Sequence, residues 1–143
     1  VELAGCRAII QTSSQQYPPD TVTDRIYFTG RHPHQPVFKR CAAVVHHGGA
    51  GTSHASTRSG CPSVVIPFMD EQLFWARQLE QLGLAGKPLP AKRVTPKALA
   101  KALTKVLENG TYKQKAELVS QAMLKQNGVD TAVCLIENAD KNL

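Results

Sequence analysis

Four short apolar runs constrain the fold of this chain more than any other feature. They cover residues 7–11, 26–28, 42–45 and 63–66, are rich in β-branched residues, and lie between stretches that contain Gly, Pro, Ser or Asp. Such runs do not alternate between apolar and polar residues, which is typical of strands covered on both faces, and segments of helical character separate the later ones. The pattern predicts an α/β fold, in which a Rossmann-like parallel sheet is flanked by helices on both sides.

Helical spacing of apolar residues dominates the second half of the chain. One apolar stripe predicts a helix that ends at Gly83. The residues of this stripe are Leu73, Phe74, Ala76, Leu79 and Leu82. The pair Thr95-Pro96 predicts the start of the next helix, which Gly110 is expected to close. Two further helices are predicted over residues 112–126 and 129–138.

Composition describes one folded domain with a moderate positive charge. The 143 residues are 42% apolar, which is enough for a core, and the formal net charge is +6. The cations are densest from Lys87 to Lys125, where a solvated helical surface is expected. No basic block is interleaved with aromatic residues, so no nucleic-acid partner is predicted. A peripheral contact with an anionic membrane surface stays open.

The four cysteines do not form a metal-binding pattern. Cys6, Cys41, Cys61 and Cys134 are far apart and lack CxxC or Cys/His ligand spacing, which predicts reduced thiols in the core and no metal site. Reduced thiols favour a cytoplasmic protein. The chain opens without Met and without the layout of a signal peptide, and is therefore expected to be part of a longer protein.

A strand that leads into a glycine-rich turn and a helix is the most informative segment. In the sequence VVHHGGAGTS, residues 44–53, small residues allow backbone N–H groups to approach a ligand, and a helix N-terminus attracts phosphate. His47 is placed to donate to a phosphate oxygen. His46 points to the opposite face of the strand and is interpreted as packed or structural. The alternative is a simple strand-to-helix connection.

Two common nucleotide motifs do not fit this turn. The GxGxxG register of a dinucleotide site is absent, and no acidic residue ends a strand about twenty residues later. A P-loop requires a Lys after its glycines, and none is present. The turn therefore needs a different explanation.

Several motifs in order and spacing resemble the donor-binding signature of the family 1 glycosyltransferases. They are HHGGAGT at residues 46–52, Gly60-Cys61-Pro62, VVIPF at residues 64–68, Glu71-Gln72, and Phe74-Trp75-Ala76. Within that family the chain is most similar to the sterol 3-β-glucosyltransferases and related bacterial enzymes. The resemblance implies the C-terminal half of a GT-B fold, lacking its first strand, with the N-terminal acceptor domain absent.

The resemblance also assigns roles to individual residues. The donor diphosphate is expected at His47 and at the backbone of Gly49, Ala50, Gly51 and Thr52. The nucleobase and ribose are expected near Pro33, His34, Ser13 and Ser14. Glu71 and Gln72, with Asp70 beside them, are expected to bind the sugar hydroxyls; Asp is usual in the family where this chain has Glu71. The other interpretation of Asp70 and Glu71 is an ordinary helix start, which prefers acidic residues.

The implied activity is inverting transfer of glucose from UDP-glucose to a sterol, a lipid or another hydrophobic hydroxyl. No metal or cofactor is expected, and the catalytic base belongs to the absent domain, so the chain alone is expected to be inactive. Phe74 and Trp75 are expected to pack rather than to stack on sugar. The alternatives are a non-catalytic nucleotide-binding module, a structural α/β module, and a nucleotide-sugar epimerase.

Overall fold

The computed structural model describes residues 1–12 and 23–139 and shows an α/β domain of parallel strands and helices. The elements in chain order are β1 (Ala8–Gln11), β2 (Ile26–Thr29), α1 (His34–Phe38), β3 (Val44–His46), α2 (Ala50–Arg58), β4 (Ser63–Val65), α3 (Asp70–Gln81), α4 (Pro96–Glu108), α5 (Gly110–Lys125) and α6 (Gly128–Ala139). The predicted fold class is confirmed, and each of the four apolar runs overlaps a strand.

The strands pair in two parallel sets. Strand β1 pairs with β2, and β3 pairs with β4, with His46 opposite Val65 at the carboxyl end. Within residues 1–12 and 23–139 the ladders form two separate two-stranded sheets rather than one. Strand β4 is fully buried, so both of its faces are covered as predicted. The pair of β1 and β2 is not covered on both faces. Ile9 and Tyr27 lie opposite each other there and are 57% and 68% exposed, because no described helix covers that side.

The core lies between β4, α3 and α5. It contains Val65, Ala76, Leu79, Leu84, Ala85 and Ala116, with Val119 packed against it. Burying a Val or Leu side chain of this kind stabilises the fold by roughly 1.5–3 kcal/mol. Gly83 ends α3 with φ of +70°, as predicted, and the chain then returns so that the Leu84 N–H donates to the Leu79 carbonyl.

The buried face of α3 is narrower than the predicted apolar stripe. Ala76 and Leu79 are buried, but Phe74 and Leu82 are 55% and 54% exposed. Phe74 belongs to the predicted stripe but not to the buried face of the helix. Its ring contacts Trp75 edge to face, with ring centroids 5.4 Å apart. Phe74 is two residues from Ala76 and therefore points to another side of the helix, whereas Leu82 follows the last helical residue, Gln81.

Helices α4 and α5 follow each other through one residue. The Thr95 hydroxyl accepts a hydrogen bond from the Ala98 N–H at 3.1 Å, which confirms the predicted helix start. Helix α4 ends at Glu108, and the Asn109 carboxamide then caps α5 by accepting from the Thr111 N–H. Gly110 is consequently the first residue of α5, and the prediction that it closes α4 is wrong.

Of the four cysteines that were predicted to be core thiols, only Cys61 is fully buried. Cys61 is buried, Cys6 and Cys41 are half-buried, and all four are free thiols. Burial raises the pKa of Cys61 to about 12 and also raises that of Cys41, so both stay protonated. Cys134 is exposed, which contradicts its assignment to the core, because all of α6 lies on the surface.

Helix α6 exposes four large apolar side chains. They are Val129, Val133, Leu135 and Ile136, and each is at least 46% exposed. Among the described residues no helix is both long and apolar enough to cross a bilayer.

Helix α5 holds the carboxyl end of α2 in place through polar contacts. The Lys113 ammonium donates to the Gly60 carbonyl at 2.8 Å, and the Ser120 hydroxyl donates to the Arg58 carbonyl at 2.7 Å. In return the Arg58 guanidinium donates to the Met123 carbonyl at 3.1 Å. These bonds satisfy carbonyls at helix ends that would otherwise lack partners, and they fix the direction of α2.

We expect Ser120→Ala to lower the free energy of unfolding by about 1–3 kcal/mol, because the Arg58 carbonyl loses its buried partner. Denaturant unfolding of both proteins measures the difference. Gln121→Ala, at the exposed neighbouring position on the same helix, is the control and is expected to stay within about 0.5 kcal/mol of the parent chain. Equal effects of the two substitutions would contradict the role given to Ser120.

Candidate functional site

The turn after β3 is held by a histidine of the strand itself. Gly48 has φ of +93°, a conformation that favours glycine, and its N–H donates to Nδ1 of His46 at 3.1 Å. Since Nδ1 accepts, the proton of the neutral ring belongs on Nε2. The prediction that His46 is a packed, structural residue is confirmed.

The surroundings of His46 keep its ring neutral. Burial, followed by repulsion from His47 and His34, lowers its pKa from 6.5 to about 4. Its Nε2 atom is buried and has no hydrogen-bond partner among the described residues. Protonation of this ring is therefore costly, and it would remove the acceptor that holds the Gly48 N–H.

Gly48 also brings two separate parts of the predicted site into contact. A Cβ atom at this position would lie 2.8 Å from the Gln72 carbonyl oxygen and 2.8 Å from Val65 Cγ1. Only a residue without a side chain lets the turn come this close to the first turn of α3. The glycine turn and the predicted Glu71-Gln72 pair are consequently neighbours.

The N-terminus of α2 is open. Gly49 is its N-cap, and no side chain caps the helix. The first N–H groups of a helix have no partner within it, so those of Ala50, Gly51 and Thr52 are available to a ligand. Ala50 and Gly51 are exposed, and Thr52 is half-buried. The partial positive charge at this end suits an anion.

His47 lies directly beside that helix end. Its side chain is exposed, and its Nε2 would be 2.5 Å from a Cβ added to Gly49. The imidazole therefore rests over the Gly49 backbone, where a larger residue would displace it. A ring nitrogen and the open N–H groups of α2 thus face the same small region.

Polar residues at the start of α3 lie on the other side of the glycine turn. Asp70 and Glu71 are exposed, and in the described part of the chain neither makes an ion pair. Gln72 is buried, and its Oε1 accepts a hydrogen bond from the Phe68 N–H at 2.8 Å. That bond orients the carboxamide and uses one of the two acceptor sites of its oxygen, and the NH₂ group is its donor to a ligand.

The junction between the loop after β2 and α1 holds two more of the predicted site residues. Pro33 is the N-cap of α1, and the His34 ring stacks on Phe38 with centroids 4.9 Å apart. His34 is close enough to His46 to lower its pKa, and α1 packs against α2. Pro33 and His34 are thus near the glycine turn. The predicted positions Ser13 and Ser14 lie outside the described residues.

Two features of the site were not predicted. The His46–Gly48 hydrogen bond depends on the geometry of the turn. The only signal in the sequence is a histidine two residues before the first glycine of the turn. The Gly48–Gln72 contact joins segments more than twenty residues apart and has no local signal. Within the described ranges no three His, Cys, Asp or Glu side chains are grouped so that they could hold a metal ion.

The chain matches a protein-family model over most of its length. Residues 6–135 match the family described as erythromycin biosynthesis protein CIII-like, C-terminal domain. The chain therefore belongs to this family, the C-terminal domains of GT-B glycosyltransferases, and the resemblance found in the sequence is confirmed.

Curated relatives of the chain are much longer proteins. It is 42% identical over 108 residues to a sterol 3-beta-glucosyltransferase of Kluyveromyces lactis, a match that covers 76% of the chain and 9% of the relative. It is 36% identical over 110 residues to sterol 3-beta-glucosyltransferase UGT80A2 of Arabidopsis thaliana, which covers 77% of the chain and 17% of that protein. The chain thus spans less than a fifth of either relative.

Solved structures share its fold at low sequence identity. The kitacinnamycin glycotransferase superimposes with a TM-score of 0.82 at 22% identity, over 92% of this chain and 34% of that one. Glycosyltransferase VinC, in complex with dTDP, has a TM-score of 0.74 at 24% identity, over 84% and 30%. LpCGTa, in complex with UDP, also has a TM-score of 0.74, at 16% identity over 89% and 33%.

We expect Gly48→Ala to destabilise the chain by at least about 1 kcal/mol, because a side chain is strained at positive φ and its Cβ meets Gln72 and Val65. Thermal or denaturant unfolding measures this. Gly51→Ala is the matched control, since nothing lies within 4 Å of a Cβ there and alanine favours a helix by roughly 0.5–1 kcal/mol. A Gly48→Ala variant as stable as Gly51→Ala would contradict the close approach.

We expect the stability of the chain to fall as the pH decreases from 6.5 towards 4. The unfolded chain binds a proton on His46 at its ordinary pKa of 6.5, whereas the folded chain binds it only at about 4, so acid favours unfolding. The loss reaches up to about 2 kcal/mol at a pH of about 5.

Denaturant unfolding at two pH values in His46→Gln isolates this effect. Glutamine keeps an acceptor for the Gly48 N–H and does not titrate, so the variant is expected to lose much of the pH dependence. His54→Gln, on the exposed side of α2, is the control and is expected to keep it. Equal pH dependence in His46→Gln and in the parent chain would contradict the assignment.

Proposed function

We propose that the chain binds a nucleoside-diphosphate sugar, with UDP-glucose as the preferred donor, for an inverting glycosyltransferase. The contact between Gly48 and Gln72 is the observation that carries this proposal. It makes the open N-terminus of α2 and the first turn of α3 adjacent. A diphosphate bound at the N-terminus of α2 would place the attached sugar at the first turn of α3.

The diphosphate would bind to the backbone N–H groups of Gly49, Ala50, Gly51 and Thr52 and to the His47 ring. Two sources of positive potential act there, the helix dipole and a histidine that can donate. The same groups would stabilise the charge that develops on the leaving diphosphate, which is the role that a metal ion has in other transferases.

The sugar would bind to Glu71 and Gln72, with Asp70 at the rim. The exposed Glu71 carboxylate accepts hydrogen bonds, and the Gln72 NH₂ donates them, while the Gln72 oxygen is oriented by its bond with the Phe68 N–H. One acceptor beside one donor suits two neighbouring sugar hydroxyls. The direction of each hydrogen bond is thus part of the proposal.

The nucleobase would lie against Pro33 and His34, with Ser13 and Ser14 as further candidates. The choice of uridine rests on the resemblance of the motifs and on LpCGTa, which was solved with UDP. VinC was solved with dTDP, so thymidine nucleotides belong in the test.

The acceptor would be a sterol or another hydrophobic alcohol, as the names of the relatives suggest. We place the acceptor pocket and the base that deprotonates its hydroxyl on an N-terminal domain outside residues 1–143. In this arrangement the chain contributes the donor site and the stabilisation of the leaving group, and it transfers no sugar by itself.

Calorimetric titration with UDP, UDP-glucose, dTDP and ADP tests the proposal. We expect saturable binding of UDP and UDP-glucose that exceeds binding of ADP. His47→Ala is expected to weaken UDP binding about 10- to 100-fold, because it removes one hydrogen bond to a charged group.

His54→Ala is the matched control for that titration, because His54 is exposed on α2 beyond its first turn. We expect it to bind UDP like the parent chain. Absence of UDP and dTDP binding by the folded chain would favour the structural alternative, in which the glycine turn is only a connection. Binding that His47→Ala leaves unchanged would contradict the assigned diphosphate site.

A further inference from the structure

A cleft with a basic rim shares no lining residue with the glycine turn. Its volume is about 190 Å³, its apolar lining includes Leu89, Ala98 and Ala102, and its rim carries Lys87, Lys101 and Lys105. We call it the basic cleft. All three lysines are exposed.

The basic cleft is built from two segments that the fold brings together. Lys101 and Lys105 are one turn apart on α4 and therefore share a face. Lys87 belongs to the loop before α4, which is held beside β4 because the Leu89 N–H donates to the Val65 carbonyl at 3.0 Å. The sequence predicted a solvated helix face, but the third cation comes from this loop, across the cleft.

No carboxylate among the described residues forms an ion pair with the lysines of the cleft, and the nearest acidic element is the N-terminal turn with Glu2, which packs against α4. No Asp or Glu occurs between Glu80 and Glu108, whereas residues 87–105 contain six Lys or Arg. Without these six, the remaining 11 Lys and Arg equal the 11 Asp and Glu, so this segment accounts for the whole net charge of +6. In the described part of the chain the only ion pair joins Lys113 and Glu117, both on α5.

We propose that the basic cleft docks the protein onto a membrane surface rich in anionic phospholipids. The lysine ammonium groups would contact lipid phosphates and carboxylates, while their methylene stems and Leu89 cover apolar surface near the headgroups. A nucleic acid fits less well, because residues 82–111 contain no aromatic side chain on which a base could stack.

This surface shares no residue with the groups assigned to the nucleotide, so the inference does not rest on the proposed function. It has a consequence for that function, since docking would hold the domain at the bilayer in which a lipid-soluble alcohol is dissolved. If the nucleotide site is disproved, the membrane-docking surface is still tested by its own experiment, and the reverse also holds.

Co-sedimentation of the full 143-residue chain with vesicles tests the docking. The probes are vesicles of phosphatidylcholine alone and vesicles with about one third phosphatidylserine. We expect binding only to the anionic vesicles, and we expect it to disappear as salt rises from about 0.1 M to about 1 M. Replacing Lys87, Lys101 and Lys105 by Gln is expected to weaken binding at least about tenfold.

The matched control removes the same charge elsewhere. Lys39, Arg40 and Arg77 are exposed and lie outside the cleft, and their triple Gln variant is expected to bind anionic vesicles within about threefold of the parent chain. His47→Ala is expected to bind the vesicles unchanged, which separates this test from nucleotide binding.

Lysine-directed chemical labelling of the unmutated chain provides a measurement that needs no variant to fold. Anionic vesicles are expected to protect Lys87, Lys101 and Lys105 and to leave Lys39 reactive. The proposal is overturned if anionic vesicles do not bind, if both triple variants lose binding equally, or if protection falls elsewhere. It is also overturned if single-stranded DNA binds through the three lysines and vesicles do not.

Discussion

The close approach of Gly48 to the first turn of α3 is the contact on which the site depends. A Cβ atom would lie 2.8 Å from the Gln72 carbonyl oxygen, so the arrangement exists only because this residue has no side chain. The positive φ of Gly48 requires glycine for a second, independent reason. The hydrogen bond from its N–H to His46 then fixes the turn from the strand side. Three constraints therefore converge on one residue.

The rest of the fold keeps α2 and α3 in the positions that this contact needs. Strands β3 and β4 are parallel neighbours, so both helices begin beyond the same sheet edge, where ligands of α/β proteins commonly bind. At its far end α2 is held by Ser120 and Lys113 of α5. The other end of α2 carries no side-chain cap and stays open. The contacts that hold the helix thus lie at one end, and its unpaired N–H groups lie at the other.

Much of the fold could be predicted from the sequence, because local signals determine it. Unalternating apolar runs identified the four strands, and Thr95-Pro96 identified the start of α4. The structure differs from the predicted pattern where neighbours decide the outcome: Phe74 and Cys134 are apolar but lie on faces that no described element covers. The order of the motifs identified the candidate site residues. The donors and acceptors of the hydrogen bonds at His46 and Gln72 could be identified only from the three-dimensional structure. Ser13 and Ser14 lie outside the described residues.

The central claim is that the glycine turn and the first turn of α3 form one binding site. Nuclear magnetic resonance of the labelled chain, titrated with UDP and then with UDP-glucose, tests it most directly. We predict that both ligands shift the backbone amides of Ala50, Gly51 and Thr52, and that only UDP-glucose also shifts the side-chain NH₂ of Gln72. Shifts of the α2 amides with an unchanged Gln72 under UDP-glucose would contradict the claim.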